Sequence, residues 1–249
     1  MNYLVGDIGN TFIKISILND NLKIKKTYNL QTKKIYQDTP KKKFLSKLKK
    51  KKLYGNVLVS SVVPKAFKII KKDLLKKKFD VLEIKEIDIK KIIKIKVKNY
   101  YQLGSDRISN AVGSLKYNNS IIIDFGTATT FDIVKSGTYE GGVISPGINL
   151  SILNLNKSTA LLPILNLKKM QKSYGKNTQE ALNAGFLWGY EGLINNIIKK
   201  ICSKSNLKFK IILTGGYAKL FKRYIKSKTI IDQDITIKGI ANIFKRIIL

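Results

Sequence analysis

Two stretches of the 249-residue chain repeat one device, LVGDIGNTFIKISIL at 4–18 and IIIDFGTATTFDIV at 121–134. Each is an apolar run, then Asp-x-Gly with hydroxyl or amide side chains, then a second apolar run. A glycine at such a tip lets the backbone approach a ligand closely and offers N–H groups to phosphate oxygens. Thr11, Thr127, Thr129 and Thr130 add hydroxyl donors. The carboxylates of Asp7 and Asp124 cannot meet phosphate directly, because two like charges 4 Å apart repel by up to ~4 kcal/mol at an effective dielectric of 20. A cation must sit between them, and oxygen-only ligands point to a hard metal such as Mg2+. Paired hairpins of this kind, facing one another, describe a cleft for a metal–nucleotide, with Thr214-Gly215-Gly216 as a third glycine turn for the nucleoside.

The residues that are absent narrow the chemistry further. No histidine occurs, which excludes a Ser-His-Asp triad, an imidazole base and histidine-bound zinc. A single cysteine, Cys202, excludes an intramolecular disulfide and suits a reducing compartment; it and Trp188 read as structural. The net charge is +32, carried by 45 lysines and only three arginines against 16 acids. Residues 41–98 hold 21 lysines against five acids. Phosphate and base recognition favours the bidentate guanidinium, and lysine, isoleucine and asparagine are together in excess, so a solvated lysine surface is the expectation and specific nucleic-acid binding is not. No apolar run approaches the ~18 charge-free residues of a membrane span. The opening MNYLVGDIGN lacks a basic or cleavable leader, and a cytoplasmic location is expected.

The carboxylates need elements to position them. Alternation and turn residues predict strands at 3–8, 12–18 and 23–30, a β-meander, and Val57–Val63 reads as a buried strand. Helical spacing covers 41–53 and 64–79, with Phe67, Ile70, Leu74 and Leu75 on one face. Residues 81–98 alternate Ile or Val with Lys or Glu, as an edge strand or irregular segment would. Further on come a helix at 109–117, strands at 121–125, 129–134 and 138–144, and a long helix from Asn177 to Ile201 opened by an Asn177/Glu180 capping pair. In that helix Ala181, Gly185 and Gly189 leave one face bare, for packing within the chain or against a second copy. A strand at 211–213 and a helix from Ile240 end the sequence. Asp7 and Asp124 lie 117 residues apart, close to half the chain, which a duplicated lobe explains.

Taken in order, Asp7-Ile-Gly-Asn-Thr11, Gly104-Ser-Asp-Arg107, Asp124-Phe-Gly-Thr-Ala-Thr-Thr130 and Gly141-Gly-Val-Ile-Ser-Pro-Gly147 resemble the blocks of type III pantothenate kinases. So do Thr159-Ala-Leu-Leu-Pro163, Gly175-Lys-Asn-Thr178 and Thr214-Gly-Gly216, while 19–98 matches weakly. The resemblance implies the actin-like, sugar-kinase and Hsp70 ATPase fold: an α/β chain of two ribonuclease-H-like lobes, 1–113 and 114–249, with the active site in the interlobe cleft. It implies transfer of the ATP γ-phosphoryl group to the primary hydroxyl of pantothenate, the first step toward coenzyme A.

The same resemblance carries roles onto residues. Asp106 matches the general base, and Gly104, Ser105, Asp106, Arg107 and Thr178 match substrate contacts. ATP contacts are implied along Asp7, Ile8, Gly9, Asn10, Thr11, Phe12, Ile13 and Lys14 and at Thr127. Asp7 would orient Mg2+ through water, and Asp124 matches a position for a monovalent cation, K+ or NH4+. The family's substrate-contacting tyrosine falls here at Val97, followed by no Asn-Pro, which leaves Tyr100 or Tyr101 as the substitute. A homodimer whose active site borders the subunit interface is implied as well.

Overall fold

The computed structural model describes residues 2–48, 53–168 and 173–249. Its first hairpin follows the period-two pattern. β1 (Asn2–Ile8) and β2 (Phe12–Leu18) pair antiparallel with Ile8 opposite Ile13, and the Gly9 N–H donates to the Phe12 carbonyl at 3.0 Å. β3 (Ile24–Gln31) completes the expected meander against β2. The helix read over 41–53 starts earlier and is shorter: α1 runs Asp38–Leu45. Pro40 is tolerated only in a first turn, where its missing N–H has no partner to lose, and Asp38 there suits the helix dipole. Residues 49–52 lie outside the described residues, and Leu53 already opens β4 (Leu53–Ser61).

The apolar run Val57–Val59 is buried, and its strand is paired on both sides: β4 lies parallel to β1 and to β5 (Asp80–Glu83). The sheet order is β3-β2-β1-β4-β5, which makes β5 the edge strand. α2 (Pro64–Lys76) begins on Pro64 and buries Ala66, Ile70 and Leu74. Leu75, expected on that face, is 50% exposed, since five residues on from Ile70 a helix has turned about 140° away. Two short 3-10 turns and β6 (Lys94–Ile95) follow. α3 (Ser105–Gly113) starts four residues before the expected Ser109, because Gly104 takes the extended N-cap conformation and Asp106 fits the first turn.

The second half repeats the first. β7 (Ser120–Phe125), β8 (Ala128–Lys135) and β9 (Thr138–Pro146) follow in sequence, then α4 (Ile148–Lys157) and α5 (Thr178–Ser203). β10 (Lys210–Gly215), the short α6 (Ala218–Phe221) and β11 (Thr229–Ile231) close this part. The second sheet runs β11-β10-β7-β8-β9-β6; its first five strands keep the order of the first sheet, with β7, β10 and β11 parallel, and β6 is added beside β9. Asp7 and Asp124 each occupy the last position but one of the founding strand, so the sequence echo is a structural duplication. Asn177 caps α5 by accepting the Glu180 N–H at 2.9 Å, but the Glu180 carboxylate accepts from the Lys176 N–H instead of returning to Asn177.

The chain divides into two compact units, one formed by residues up to Asn118 with Val134–Gly141 and Asp234–Leu249, the other by Asn119–Ile133 and Gly142–Gln233. This division differs from the expected halves 1–113 and 114–249 chiefly in α7 (Ile235–Ile247), which packs on α3 and β1 within the first unit. A methyl group on Gly239 would overlap the Ser109 carbonyl, and one on Gly113 would overlap the Ile235 carbonyl, so α3 and α7 cross with their backbones touching. The Thr236 hydroxyl donates to Asn110 Oδ1 at 2.7 Å across the same crossing. Each unit has its own apolar core, Leu4, Ile15, Val57 and Ile70 in the first and Ile121, Ile123, Leu187 and Leu213 in the second. Among the described residues no helix is long and apolar enough to cross a membrane.

Candidate active site

In an open sheet, ligand-binding groups gather beyond the carboxyl ends of parallel strands. The first unit places Asp7 at that end of β1, Ser60 and Ser61 at that end of β4 and Glu83 at that end of β5. Asp7 stands in register between Lys14 on β2 and Ser60 on β4. At the hairpin tip Asn10, Thr11 and Phe12 are exposed, whereas Ile8 and Ile13 give their side chains to the core and can offer a ligand only backbone. Thr32, which belongs to none of the sequence motifs, braces the tip: its hydroxyl donates to the Gly9 carbonyl at 2.6 Å and its N–H to the Thr11 carbonyl at 2.9 Å.

The Gly104–Arg107 segment opens α3. A methyl group on Gly104 would overlap Asp106 Oδ1, so the glycine leaves room for that carboxylate. Asp106 Oδ1 also accepts the Arg107 N–H at 2.8 Å. Burial pushes the Asp106 carboxyl above the usual carboxylate range, against the lowering pull of the Arg107 N–H and guanidinium and, more weakly, of Lys85. Lys85 has no sequence signal beyond being one lysine among many. Its ammonium donates to the Tyr101 carbonyl at 2.8 Å. Of the two candidate tyrosines for the substrate side, Tyr101 is 83% exposed. The Tyr100 hydroxyl is buried without a hydrogen-bond partner among the described residues, and burial, then the Glu83 charge, raises its pKa.

The second unit gathers its own set. Asp124 pairs in register with Thr214, and the Gly216 N–H donates to the Phe125 carbonyl at 3.0 Å. Gly215 has φ +83°, and a methyl group there would lie 2.6 Å from Asp124 Oδ1 and 2.6 Å from the Phe125 carbonyl. Gly147 leaves room for the Thr127 carbonyl in the same way, which ties the Gly141–Gly147 block to the Asp124–Thr130 hairpin; the Thr127 side chain is exposed. Thr178, at the first turn of α5, lines an apolar groove with Pro146, Leu162, Leu182, Phe186 and Tyr190. Cys202 is half-buried, and burial pushes its thiol up, away from reactivity. Trp188 is 49% exposed on α5.

The chain as a whole is similar to known proteins. A family model described as type III pantothenate kinase matches residues 3–200. A type III pantothenate kinase of Pelagibacter ubique is 47% identical over 240 residues, covering 95% of this chain and 96% of the relative. One from Sulfurihydrogenibium sp. is 38% identical over 193 residues, 75% of each chain. Among solved structures, a Campylobacter jejuni protein described as a conserved Baf family transcriptional activator has a TM-score of 0.63 at 19% identity, covering 98% of both chains. The inorganic polyphosphate/ATP-glucomannokinase of an Arthrobacter species has a TM-score of 0.55 at 13% identity, again covering 98% of both. The structural likenesses show the fold, a mixed α/β chain with two duplicated sheets of the actin-like, sugar-kinase type, and the sequence matches, that to the Pelagibacter protein over nearly the full length of both, show the lineage within it. The chain belongs to the type III pantothenate kinase family.

Proposed function

We propose that the chain transfers the γ-phosphoryl group of ATP to the primary hydroxyl of pantothenate, the first step toward coenzyme A. The observation that carries this reading is Asp106, a carboxylate at a helix N-terminus, given room by Gly104, raised by burial and flanked by Arg107 and Lys85. A base with a raised pKa holds a proton more tightly once it has taken it, which a substrate hydroxyl requires. Asp106 accepts the hydroxyl proton on a carboxylate oxygen, and Arg107 supplies cationic donors to the anionic substrate. Gly104 and Thr178 complete the substrate contacts, while Ser105, fully buried, supports them from behind, and Tyr100, with its buried hydroxyl, takes the place of the family tyrosine.

The nucleotide's phosphates meet the Gly9–Thr11 tip and Thr127. Mg2+ carried with ATP neutralises phosphate charge during transfer. Asp7 fits such an ion: it is a single carboxylate beside an exposed glycine turn, suited to a water-mediated contact while the phosphates fill the other ligand positions. Asp124 fits a monovalent cation, because the crevice beside its carboxylate at Gly215 is one that any larger residue would fill. A homodimer is supported by α5, where Gly185, Gly189 and Gly192 each have room for a methyl group with no atom of the described residues beyond their own helix within 4 Å of it, beside Leu155, Leu162 and the half-exposed Trp188.

The test is ADP release by the purified protein with Mg-ATP and K+, with and without pantothenate. Pantothenate-dependent release is expected, and Asp106→Asn is expected to abolish it while ATP binding and fold persist. Substantial turnover by that variant would remove Asp106 from the role of base, and equal ADP release without pantothenate would refute the substrate.

A further inference from the structure

Glu83 is a buried carboxylate for which the phosphoryl transfer has no direct use. It is 8% exposed, and no ion pair reaches it among the described residues. A buried charge without a counter-ion persists only when donors surround it. Here three do. Oε1 accepts the Ser105 hydroxyl at 2.5 Å and the Ser61 N–H at 3.2 Å, and Oε2 accepts the Lys85 N–H at 2.6 Å. The Glu83 N–H is itself held by Glu86 Oε2 at 3.1 Å, and Glu86 pairs with Lys71 of α2 at 3.2 Å. The carboxylate thus ties the ends of β4 and β5 to the first residue of α3.

Ser105 is fully buried and immediately precedes Asp106. Its carbonyl accepts the Ser109 hydroxyl one turn on at 2.8 Å, so the first turn of α3 is held from both sides. Lys85, the other residue bound to Glu83 on its C-terminal side, is among the charges that act on Asp106. We propose that Glu83 is a positioning residue for the phosphoryl transfer, fixing the first turn of α3 through Ser105 and so the direction in which Asp106 presents its carboxylate. This rests on the kinase reading above, in which Asp106 is the base. Every backbone group facing the Glu83 carboxylate is a donor, so a glutamine there sets its NH2 against at least one N–H while keeping the size of the side chain.

The test compares wild type, Glu83→Gln, Ser105→Ala and the double variant by steady-state kinetics and amide hydrogen exchange. Each single variant is expected to lower kcat about 10- to 100-fold, as a misdirected base does, with the KM for Mg-ATP within about twofold. Exchange at the Arg107 and Ile108 amides should quicken about tenfold. The double variant should lose no more than the worse single one, because Glu83 acts on Asp106 through Ser105. A kcat within about twofold of wild type in both single variants, or losses that multiply in the double variant, would overturn the proposal even if exchange quickens. If Glu83→Gln fails to fold, Ser105→Ala alone decides by the same criteria. A wild-type protein inert toward pantothenate would refute the kinase reading, and the exchange rates would still report whether Glu83 holds the turn.

Discussion

Gly104→Ala separates the catalytic geometry from the fold. Gly104 has φ −62° and ψ 138°, which alanine adopts freely, and the added methyl would meet Val62 Cγ1 at an ordinary 3.5 Å. Its overlap is with the Asp106 carboxyl at Oδ1, while Cγ at 3.5 Å is an ordinary contact. As an N-cap, alanine is worse than glycine by about 0.5–1 kcal/mol, while its smaller freedom in the unfolded chain returns about 0.4–1 kcal/mol. Stability should therefore change by no more than about 0.5 kcal/mol, a Tm shift of roughly 2 °C or less for a chain of this size. Asp106 must rotate away, giving up the 2.8 Å bond from the Arg107 N–H. A displacement of about 1 Å at a reacting group lowers rate by about 100-fold, or about 2.7 kcal/mol in the barrier. Pantothenate-dependent ADP release read beside a melting curve checks this. A kcat within about threefold of wild type would show that the Asp106 geometry does not set the rate. A loss of rate matched by a fall in Tm of roughly 10 °C or more would show that Gly104 serves the fold instead.

Because burial raises Asp106, its ionised form destabilises the folded state above that raised pKa, and the penalty fades as pH falls toward the ordinary carboxylate value near about 4. Asp106→Asn should accordingly melt above wild type at pH 8 and converge with it toward pH 5 in scanning calorimetry; a gap that widens on acidification would contradict the shift. The acid limb of kcat/KM should fall above the normal aspartate range. Gly215→Ala places a side chain at φ +83° against Asp124 and should destabilise by about 2 kcal/mol or more, seen as a Tm lower by roughly 4 °C or more. Beyond its own helix, a methyl group on Gly189 meets no atom of the described residues within 4 Å, so on the proposed dimer Gly189→Arg should give a well-folded monomer, and wild type a dimer, by sizing chromatography with light scattering. A dimer that survives the substitution would place the interface elsewhere.

The parts of the fold legible in the sequence are those with local pattern. The two hairpins announce themselves because Asp-x-Gly turns separate period-two strands, and α5 because Asn177 caps an apolar repeat running to Ile201. α1 is misplaced by periodicity because six lysines between 41 and 50 imitate helical spacing on a stretch whose start is dictated by Pro40. α4 carries no signal, its asparagines and leucines fitting loop and helix equally. The placing of α7 in the first unit is a long-range fact about Gly239 meeting Ser109, which no periodicity encodes. Within the site, Asp7, Asp106 and Asp124 stand out as rare acids in a basic chain. Glu83, equally rare, is hidden because it sits among alternating Ile and Lys and works by accepting from the backbone N–H groups of Ser61 and Lys85, which have no sequence identity.

The crossing of α3 and α7 also sets a schedule. Residues 235–247 leave the ribosome after every strand of both sheets, yet they are the cover for the helix that carries Asp106. At a synthesis rate of about 5–20 residues per second, α3 waits some six seconds or more between its own emergence and that of its partner. During that interval Ser109, Asn110 and Gly113, buried in the finished protein against Gly239, Thr236 and Ile235, lack the surface that covers them. A chain stopped between the second sheet and α7 would thus leave α3 uncovered while keeping the strands of the first unit, so that Asp106 is supported only once residues 235–247 have been made.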